Sequence, residues 1–165
     1  MYYTEYNSPI GKLKLASDGE NLVGLWIEGQ KYYACCLEDN VEYKDDLPVF
    51  VLAYKWLDIY FNGKNPQFNL PLRPQGNEFR QEVWKILQII AYGEVRTYGD
   101  IAKQIAHQRG LAKMSAQAVG IAVSHNPISI VIPCHRVIGQ RGNLTGYAAG
   151  LDVKSKLLKL EKVNV

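Results

Sequence analysis

The chain has 165 residues, of which 47% are hydrophobic and 21% are charged. This composition is typical of a folded protein of one ordinary or two small domains and argues against intrinsic disorder. No stretch approaches the ~20 apolar residues that a membrane span needs, and the first residues lack the basic and apolar regions of a secretory signal, so we expect a cytoplasmic protein.

The charge is divided unevenly along the chain. Residues 1–76 hold seven Lys/Arg against ten Asp/Glu, whereas residues 77–165 hold twelve against six and all three histidines. The basic half is therefore the better candidate for binding a polyanion, although lysines on solvated helix faces would give a similar excess.

The first half begins with a pattern of strands separated by turn signals. Strand-like runs at 2–6, 12–17 and 22–28 predict an antiparallel meander. Pro48 can then occupy the first turn of a helix that Asn62-Gly63 ends. The apolar stripe of this helix is expected to pack against the sheet and comprises Val49, Leu52, Ala53, Trp56, Leu57 and Tyr60.

The second half is predicted to be mostly helical. Asn77 caps a first helix that Gly93 closes, and Thr97 with Asp100 forms a capping pair for a second helix reaching about residue 106. A third helix, 115–124, is rich in small residues and stops at Asn126-Pro127. Two short helices joined by a glycine-containing turn in a basic half suggest a helix-turn-helix, although plain helix packing fits this segment equally well.

Cys134 is the residue whose surroundings indicate chemistry. The run Ile128–Ile132 leads into Pro133, which restricts the backbone before the cysteine, and His135 and Arg136 follow. A thiol attacks as thiolate, and its pKa of about 8.5 falls near cations, while a base can also take the proton. A Cys-His pair alone is weak evidence, because buried cysteines are common.

The hexapeptide 132–137, IPCHRV, resembles the active-site signature of the O6-alkylguanine-DNA alkyltransferases. The resemblance covers residues 77–165, and the segments 8–11 and 24–26 extend it to the amino-terminal half. Other segments that agree in order and spacing are Phe79 to Trp84, Gly93–Tyr98, Ala118-Val119-Gly120, Asn126-Pro127 and Gly146-Tyr147 to Glu161.

The family resemblance implies the fold and the reaction. We expect an α+β chain in which residues 1–76 form an amino-terminal α/β, ribonuclease-H-like domain with a linker, and residues 77–165 form a winged helix-turn-helix. In this family the cysteine accepts the alkyl group from O6 of guanine in DNA and is never regenerated. O4-alkylthymine is a second candidate substrate on which the sequence does not decide.

The same resemblance assigns the catalytic roles. Cys134 would be the acceptor, His135 the base acting through a bridging water, and Glu161 the residue that orients the imidazole, as in hydrolytic triads. Tyr98 would turn the phosphate and hydrogen-bond the extruded base, and Asn126 would be the hinge before the active-site loop. Without the resemblance, Glu161 would be read as a solvated helix residue.

The resemblance also assigns DNA and base contacts. The residues expected to make them are Ser115, Gln117, Ala118, Arg136, Val137, Tyr147 and Ala148. Gln117 departs from the family pattern, because most members have an arginine that fills the space of the extruded base. Glutamine lacks the cation that stacks on bases and neutralises phosphate, so we expect weaker or more salt-tolerant DNA binding.

No cofactor is implied, and we expect no structural zinc, because no histidine precedes His107 to join Cys35 and Cys36. Those two cysteines are expected to be small core or edge residues. The odd cysteine count argues for free thiols in a reducing compartment. The expected partner is duplex DNA with alkylated guanine, bound by a monomer, and cooperativity is left open.

Two other functions fit parts of the sequence. A lesion sensor of the alkyltransferase-like class would recognise the damaged base without repairing it, but such proteins replace the acceptor cysteine. A cysteine hydrolase built on Cys134 and His135 would turn over repeatedly and ignore DNA. The basic helical half argues against it.

Overall fold

The computed structural model describes residues 1–35 and 37–164, and the chain divides into two compact units. Unit 1 comprises Met1–Gln75 and Pro127–Ser129, and unit 2 comprises Gly76–Asn126 and the chain from Ile130 onwards. Within the described residues, no helix is both long and apolar enough to cross a membrane. Cys36 lies outside the described residues.

Unit 1 is built on a four-stranded sheet in the order β3-β2-β1-β4. Strands β1 (Tyr2–Ser8), β2 (Gly11–Ser17) and β3 (Leu22–Ile27) are antiparallel neighbours, and the short β4 (Glu42–Tyr43) runs parallel to β1. The predicted meander is confirmed. All six residues of β3 are buried, so this strand lies in the core of the unit.

The outer edge of β3 pairs with two extended segments, and no sequence pattern indicated this pairing. Leu22 donates its backbone N–H to Pro71 and accepts one from Arg73. Leu25 donates to the Pro127 carbonyl at 2.8 Å and accepts from the Ser129 N–H at 2.9 Å. These bonds occupy the backbone groups of a strand edge that would otherwise be unpaired.

Helix α1 (Pro48–Phe61) contacts β1 and β2. Proline fits its first turn because the N–H that proline lacks has no helical partner there. The predicted stripe is wrong at one position, since Leu52 is 39% exposed and Phe50 is buried instead. Leu52 lies about 100° from the centre of the buried face at 3.6 residues per turn, so it falls at the margin of the stripe.

In its described residues, unit 2 contains four α-helices and a two-stranded parallel sheet. These elements are α2 (Glu78–Ile89), β5 (Arg96–Thr97), α3 (Tyr98–Arg109), α4 (Ala116–Ser124), β6 (Val137–Ile138) and α5 (Leu151–Leu160). The Trp84 indole donates to the Ala122 carbonyl at 2.9 Å and so ties α2 to α4 in the buried interior.

Short-range capping sets the starts of the helices as the sequence predicted, whereas two predicted ends differ from the structure. Asn77 and Ser115 accept backbone N–H groups at the starts of α2 and α4, and Thr97 forms a complete capping box at the start of α3. Helix α2 ends at Ile89 and not at Gly93, and α3 continues to Arg109, past the end predicted at about residue 106. Helices α3 and α4 contact each other, as the helix-turn-helix prediction requires.

Candidate active site around Cys134

Cys134 lies at the start of a short 3-10 turn, Cys134–Arg136, and is only 6% exposed. The Ile132 carbonyl accepts both the Cys134 backbone N–H and the Asn126 side-chain amide, each at 2.8 Å. Asn126 is buried at the end of α4, so its amide ties that helix to the backbone that carries the thiol. The same loop contains Ile130, a buried β-branched residue at the strained φ of 72°.

His135, Arg136 and Glu161 form a buried, hydrogen-bonded group beside the thiol. The His135 Nε2 lies 2.5 Å from one carboxylate oxygen of Glu161, and the Arg136 Nε donates to the other at 2.7 Å. A second guanidinium nitrogen of Arg136 donates to the Ile90 carbonyl at 2.7 Å. Glu161 is 2% exposed, which excludes the alternative that it is a solvated helix residue.

The charges in this group follow from burial and hydrogen bonding. Burial by itself would raise the pKa of Glu161, but the bonds from His135 and then Arg136 outweigh it and lower the pKa to about 2. Burial lowers the pKa of His135 despite the opposing effect of Glu161. An ionised carboxylate only accepts hydrogen bonds, so His135 carries its proton on Nε2 and presents the lone pair of Nδ1.

The thiol itself is held in its neutral form at rest. Burial raises the pKa of Cys134, while a hydrogen bond from Asn126 and the charge of Lys154 act in the opposite direction. Burial and the nearness of Cys134 also raise the pKa of Tyr147 well above its usual value, so its hydroxyl is neutral. A base is therefore required before the sulfur can attack.

Lys154 is a functional candidate that the sequence analysis missed. Its side chain is fully buried, and Nζ donates to the backbone carbonyls of Val137, Thr145 and Gly146 at 2.5, 3.1 and 3.2 Å. Burial lowers its pKa to about 8, and the negative charge that Cys134 carries as a thiolate would offset part of that effect.

A signal for Lys154 was present in the sequence of α5. Lys154 and Glu161 are seven residues apart, which is about two helical turns, and they share a face with the buried Leu157 and Leu158. Charged residues on an apolar stripe are buried only when they have partners. Lys154 and Glu161 could therefore have been proposed as buried charged residues with partners from periodicity alone.

Tyr98 is placed beside the segment that follows β6. Its hydroxyl donates to the Thr145 carbonyl at 3.0 Å, the same carbonyl that accepts from Lys154, and the Lys154 ammonium lies 5.8 Å from the centre of the Tyr98 ring. Burial, together with the nearness of Cys134, raises the pKa of Tyr98. Tyr147 and Ala148 are half-buried in the following residues.

The residues predicted to contact DNA are divided between a surface and the interior. Gln117 is exposed on α4, and it lines a mainly apolar groove with Tyr98, Gly120, Ile121, Thr145 and Gly146. Ser115 caps α4 by accepting the Ala118 N–H at 3.2 Å. Arg136 is 8% exposed and engaged with Glu161, and Val137 is fully buried with its carbonyl bound to Lys154.

The described residues contain no group of three or more His, Cys, Asp or Glu side chains arranged to hold a metal ion. Cys35 does not match its prediction, because it is exposed and not a core or edge residue. It lies in a turn segment and not in a strand or a helix.

Comparison with known proteins accounts for both units. Residues 1–74 match the ribonuclease-like domain of 6-O-methylguanine DNA methyltransferase, and residues 78–163 match the DNA binding domain of the same family. The methylated-DNA–protein-cysteine methyltransferases of Methanosarcina acetivorans and Haemophilus influenzae are 44% and 42% identical to the chain. The first alignment covers 98% of both chains, and the second covers 99% of this chain and 87% of the relative.

Solved structures agree with the sequence matches. The crystal structure of Mycobacterium tuberculosis OGT in complex with DNA superposes with a TM-score of 0.85 at 42% identity, and it covers 98% of this chain and 93% of the other. The structure of an O6-methylguanine DNA methyltransferase from Methanococcus jannaschii gives a TM-score of 0.65 at 26% identity over 98% and 95% of the two chains. The chain therefore belongs to the 6-O-methylguanine DNA methyltransferase family.

Proposed function

We propose that the protein repairs DNA by transferring the alkyl group from O6 of an alkylated guanine to Cys134, once per molecule. The observation that carries this proposal is the buried group of Cys134, His135 and Glu161 in a unit that matches the family's DNA binding domain. An sp³ carbon bonded to oxygen is a soft electrophile that a thiolate can attack, and the attack displaces the oxygen without a metal.

The proposed reaction balances without a co-reactant. The thiol proton of Cys134 passes, through a water molecule, to the Nδ1 lone pair of His135, and Glu161 stabilises the imidazolium that results. The sulfur electron pair then forms the S–C bond while the C–O6 bond breaks. Guanine leaves with the electron pair and takes up a proton, so the products are a thioether and unmodified guanine.

Tyr98 and the backbone around it are the proposed means of activating the leaving base. O6 of a stacked guanine is out of reach of a thiol that is 6% exposed, so the nucleotide has to be extruded into the unit. The Tyr98 hydroxyl, now bound to Thr145, would hydrogen-bond the extruded base and share its proton as the negative charge develops. Backbone groups at Val137 and Ala148 would contact the guanine edge, with Tyr147 as a wall.

The proposed DNA surface is the exposed face of α4. Ser115, Gln117 and Ala118 lie at its first turn, where backbone N–H groups and the helix dipole favour a phosphate. Gln117 would enter the stack and hydrogen-bond the orphaned cytosine. Arg136 has a different proposed role, because its ion pair with Glu161 makes it a positioning residue and not a DNA contact.

Two other functions are less well supported. A lesion sensor needs no reactive thiol, yet Cys134 is present and the residue that follows it, His135, is paired with the Glu161 carboxylate. A cysteine hydrolase would need an open cleft for its substrate and repeated access of water, whereas Cys134 and His135 are both buried. The cytoplasm is the proposed compartment, because the acceptor has to remain a free thiol and a reducing environment preserves it.

The deciding experiment mixes the protein with a duplex carrying O6-methylguanine and measures the intact mass and the modified peptide. We expect the mass of one methylene group to be added on Cys134 and to saturate at one per protein, with none added in Cys134→Ala. Binding of the damaged duplex without any mass change would overturn alkyl transfer and favour the lesion sensor. Repeated turnover without a protein adduct would favour the hydrolase.

A further inference from the structure

A second groove of unit 2 carries positive charge and has no assigned role. It lies along α3, the turn that follows it and the first residue of α4, and small apolar residues such as Ala102 and Ala106 form part of its lining. Three basic side chains line it as well, which are Lys103, His107 and Lys113, and all three are exposed.

The cations of this groove are not neutralised by protein carboxylates. In the part of the chain that the structure describes, neither Lys103 nor Lys113 makes a salt bridge. The acidic residue on the same helix, Asp100, is engaged in the capping box at its start. Arg109 at the other end of α3 is bound to Glu82. The groove therefore presents uncompensated positive charge to solvent.

This basic groove is continuous with the surface already proposed to meet DNA. Ala116, the first residue of α4, lines both the basic groove and the apolar groove that contains Tyr98 and Gln117. The two grooves therefore meet at the start of α4, where the helix dipole adds partial positive charge. Gln117 itself is uncharged, so cationic contacts to DNA have to come from other residues.

We infer that the groove lined by Lys103, His107 and Lys113 binds the phosphate backbone of the duplex that α4 engages. The inference rests on the proposed function for the identity of the polyanion. The two lysines act as point charges on phosphate, and the imidazole donates a hydrogen bond to a neighbouring oxygen. These contacts carry no base information, so they add affinity and set the position of α4 on the strand without changing which lesion is repaired.

The test measures the affinity for an undamaged duplex as a function of salt, by fluorescence anisotropy, with wild type and with the double variant Lys103→Gln/Lys113→Gln. Each phosphate contact contributes about 0.9 to the slope of log K against log salt, so we expect the slope to fall by about 1.8. At 0.1 M salt this corresponds to a loss of about 60-fold in affinity when the affinity at 1 M salt is unchanged.

The matched control is Lys156→Gln/Lys159→Gln, which removes the same charge from exposed positions on α5. It should leave the slope close to that of wild type. An unchanged slope in the groove variant would overturn the inference, because it would exclude contacts of these lysines with the phosphate backbone. An equal fall of the slope in both variants would also overturn it, because the effect would then come from net charge and not from the groove. An acidic protein partner would be the remaining occupant in the first case.

A second measurement separates this inference from the proposed function. Transfer from free O6-methylguanine base needs no DNA contact, so the groove variant should alkylate Cys134 from the free base at the wild-type rate and from the duplex more slowly. If wild type acquires no alkyl group from either substrate, the proposed function fails, while the salt slopes still decide whether the groove binds duplex.

Discussion

Replacement of Glu161 by glutamine tests the proposed base most directly. It exchanges one carboxylate oxygen for an NH₂ group of similar size, and it thereby changes which nitrogen of His135 carries the proton. Three groups donate to the carboxylate: His135 Nε2 to one oxygen, and Arg136 Nε and the Gly93 backbone N–H to the other. An amide has one accepting oxygen, and arginine does not give up its proton, so the oxygen has to face Arg136. The amide NH₂ then faces His135, which has to move its own proton to Nδ1.

The expected loss of rate follows from the inability of this His135 tautomer to act as the base. With a proton on Nδ1, His135 no longer accepts the thiol proton, and general-base catalysis contributes about 10²–10⁴-fold to a rate. We therefore expect Glu161→Gln to slow alkyl transfer from the duplex by that range. Its affinity for undamaged duplex should be unchanged, because Glu161 is buried.

The same variant has a defined effect on stability. The folded-state pKa of about 2 lies below the ordinary value of 4.5, a difference worth about 3 kcal/mol. Because the unfolded chain binds more protons between these values, this stabilisation is present above pH 4.5 and is lost as the pH falls towards 2. Glu161→Gln should lose about 3 kcal/mol of unfolding free energy near neutral pH and show a flatter acid dependence.

The assay quenches single-turnover reactions at intervals and quantifies the methylated Cys134 peptide, with urea unfolding and duplex affinity measured on the same samples. Glu94→Gln, an exposed position, controls for the chemical change. A folded Glu161→Gln protein that transfers at the wild-type rate would refute the assignment of His135 as the base. A fall in duplex affinity that matches the fall in rate would show that Glu161 acts on DNA binding instead.

Three further outcomes are expected. The unfolding free energy of wild type should rise relative to that of Lys154→Met as the pH increases from 8 to 10. The reason is that the folded-state pKa of Lys154, about 8, lies below the ordinary value of 10.5, so the unfolded chain holds more protons in this range. Parallel curves of unfolding free energy against pH, measured by urea unfolding, would contradict this. Asn126→Ala should slow iodoacetamide modification of the Cys134 thiol by about tenfold, because one hydrogen bond that lowers the pKa of this thiol is lost. An unchanged dependence of the modification rate on pH would contradict this. Gly76→Ala should cost about 1–3 kcal/mol in urea unfolding because its Cβ would lie 2.4 Å from the Trp84 ring, whereas Gly99→Ala, whose nearest atom lies at 3.8 Å, should cost nothing.

Local chemistry allowed much of the fold to be predicted. The strands β1 to β3 follow alternation and turn residues, and the starts of α2, α3 and α4 follow capping side chains that act within three residues. The predicted element boundaries were wrong where contacts distant in sequence decide the local structure. The end of α2 at Ile89, with Ile90 extended, is one case. Leu52 is different, because it lies at the margin of the apolar stripe of α1, where helical spacing alone does not decide burial.

The sequence by itself determined which half of the chain is basic and which family the motif around Cys134 resembles, and it predicted Cys134 as the nucleophile, because residue types and short spacings carry that information. Only the tertiary structure decided what surrounds the thiol. Glu161 meets His135 across 26 residues of chain, and Lys154 reaches the Thr145 carbonyl that also binds Tyr98. Such partnerships depend on which side chains lose water together when the helices pack, and burial together with the hydrogen bonds formed there sets the charge state that each side chain then holds.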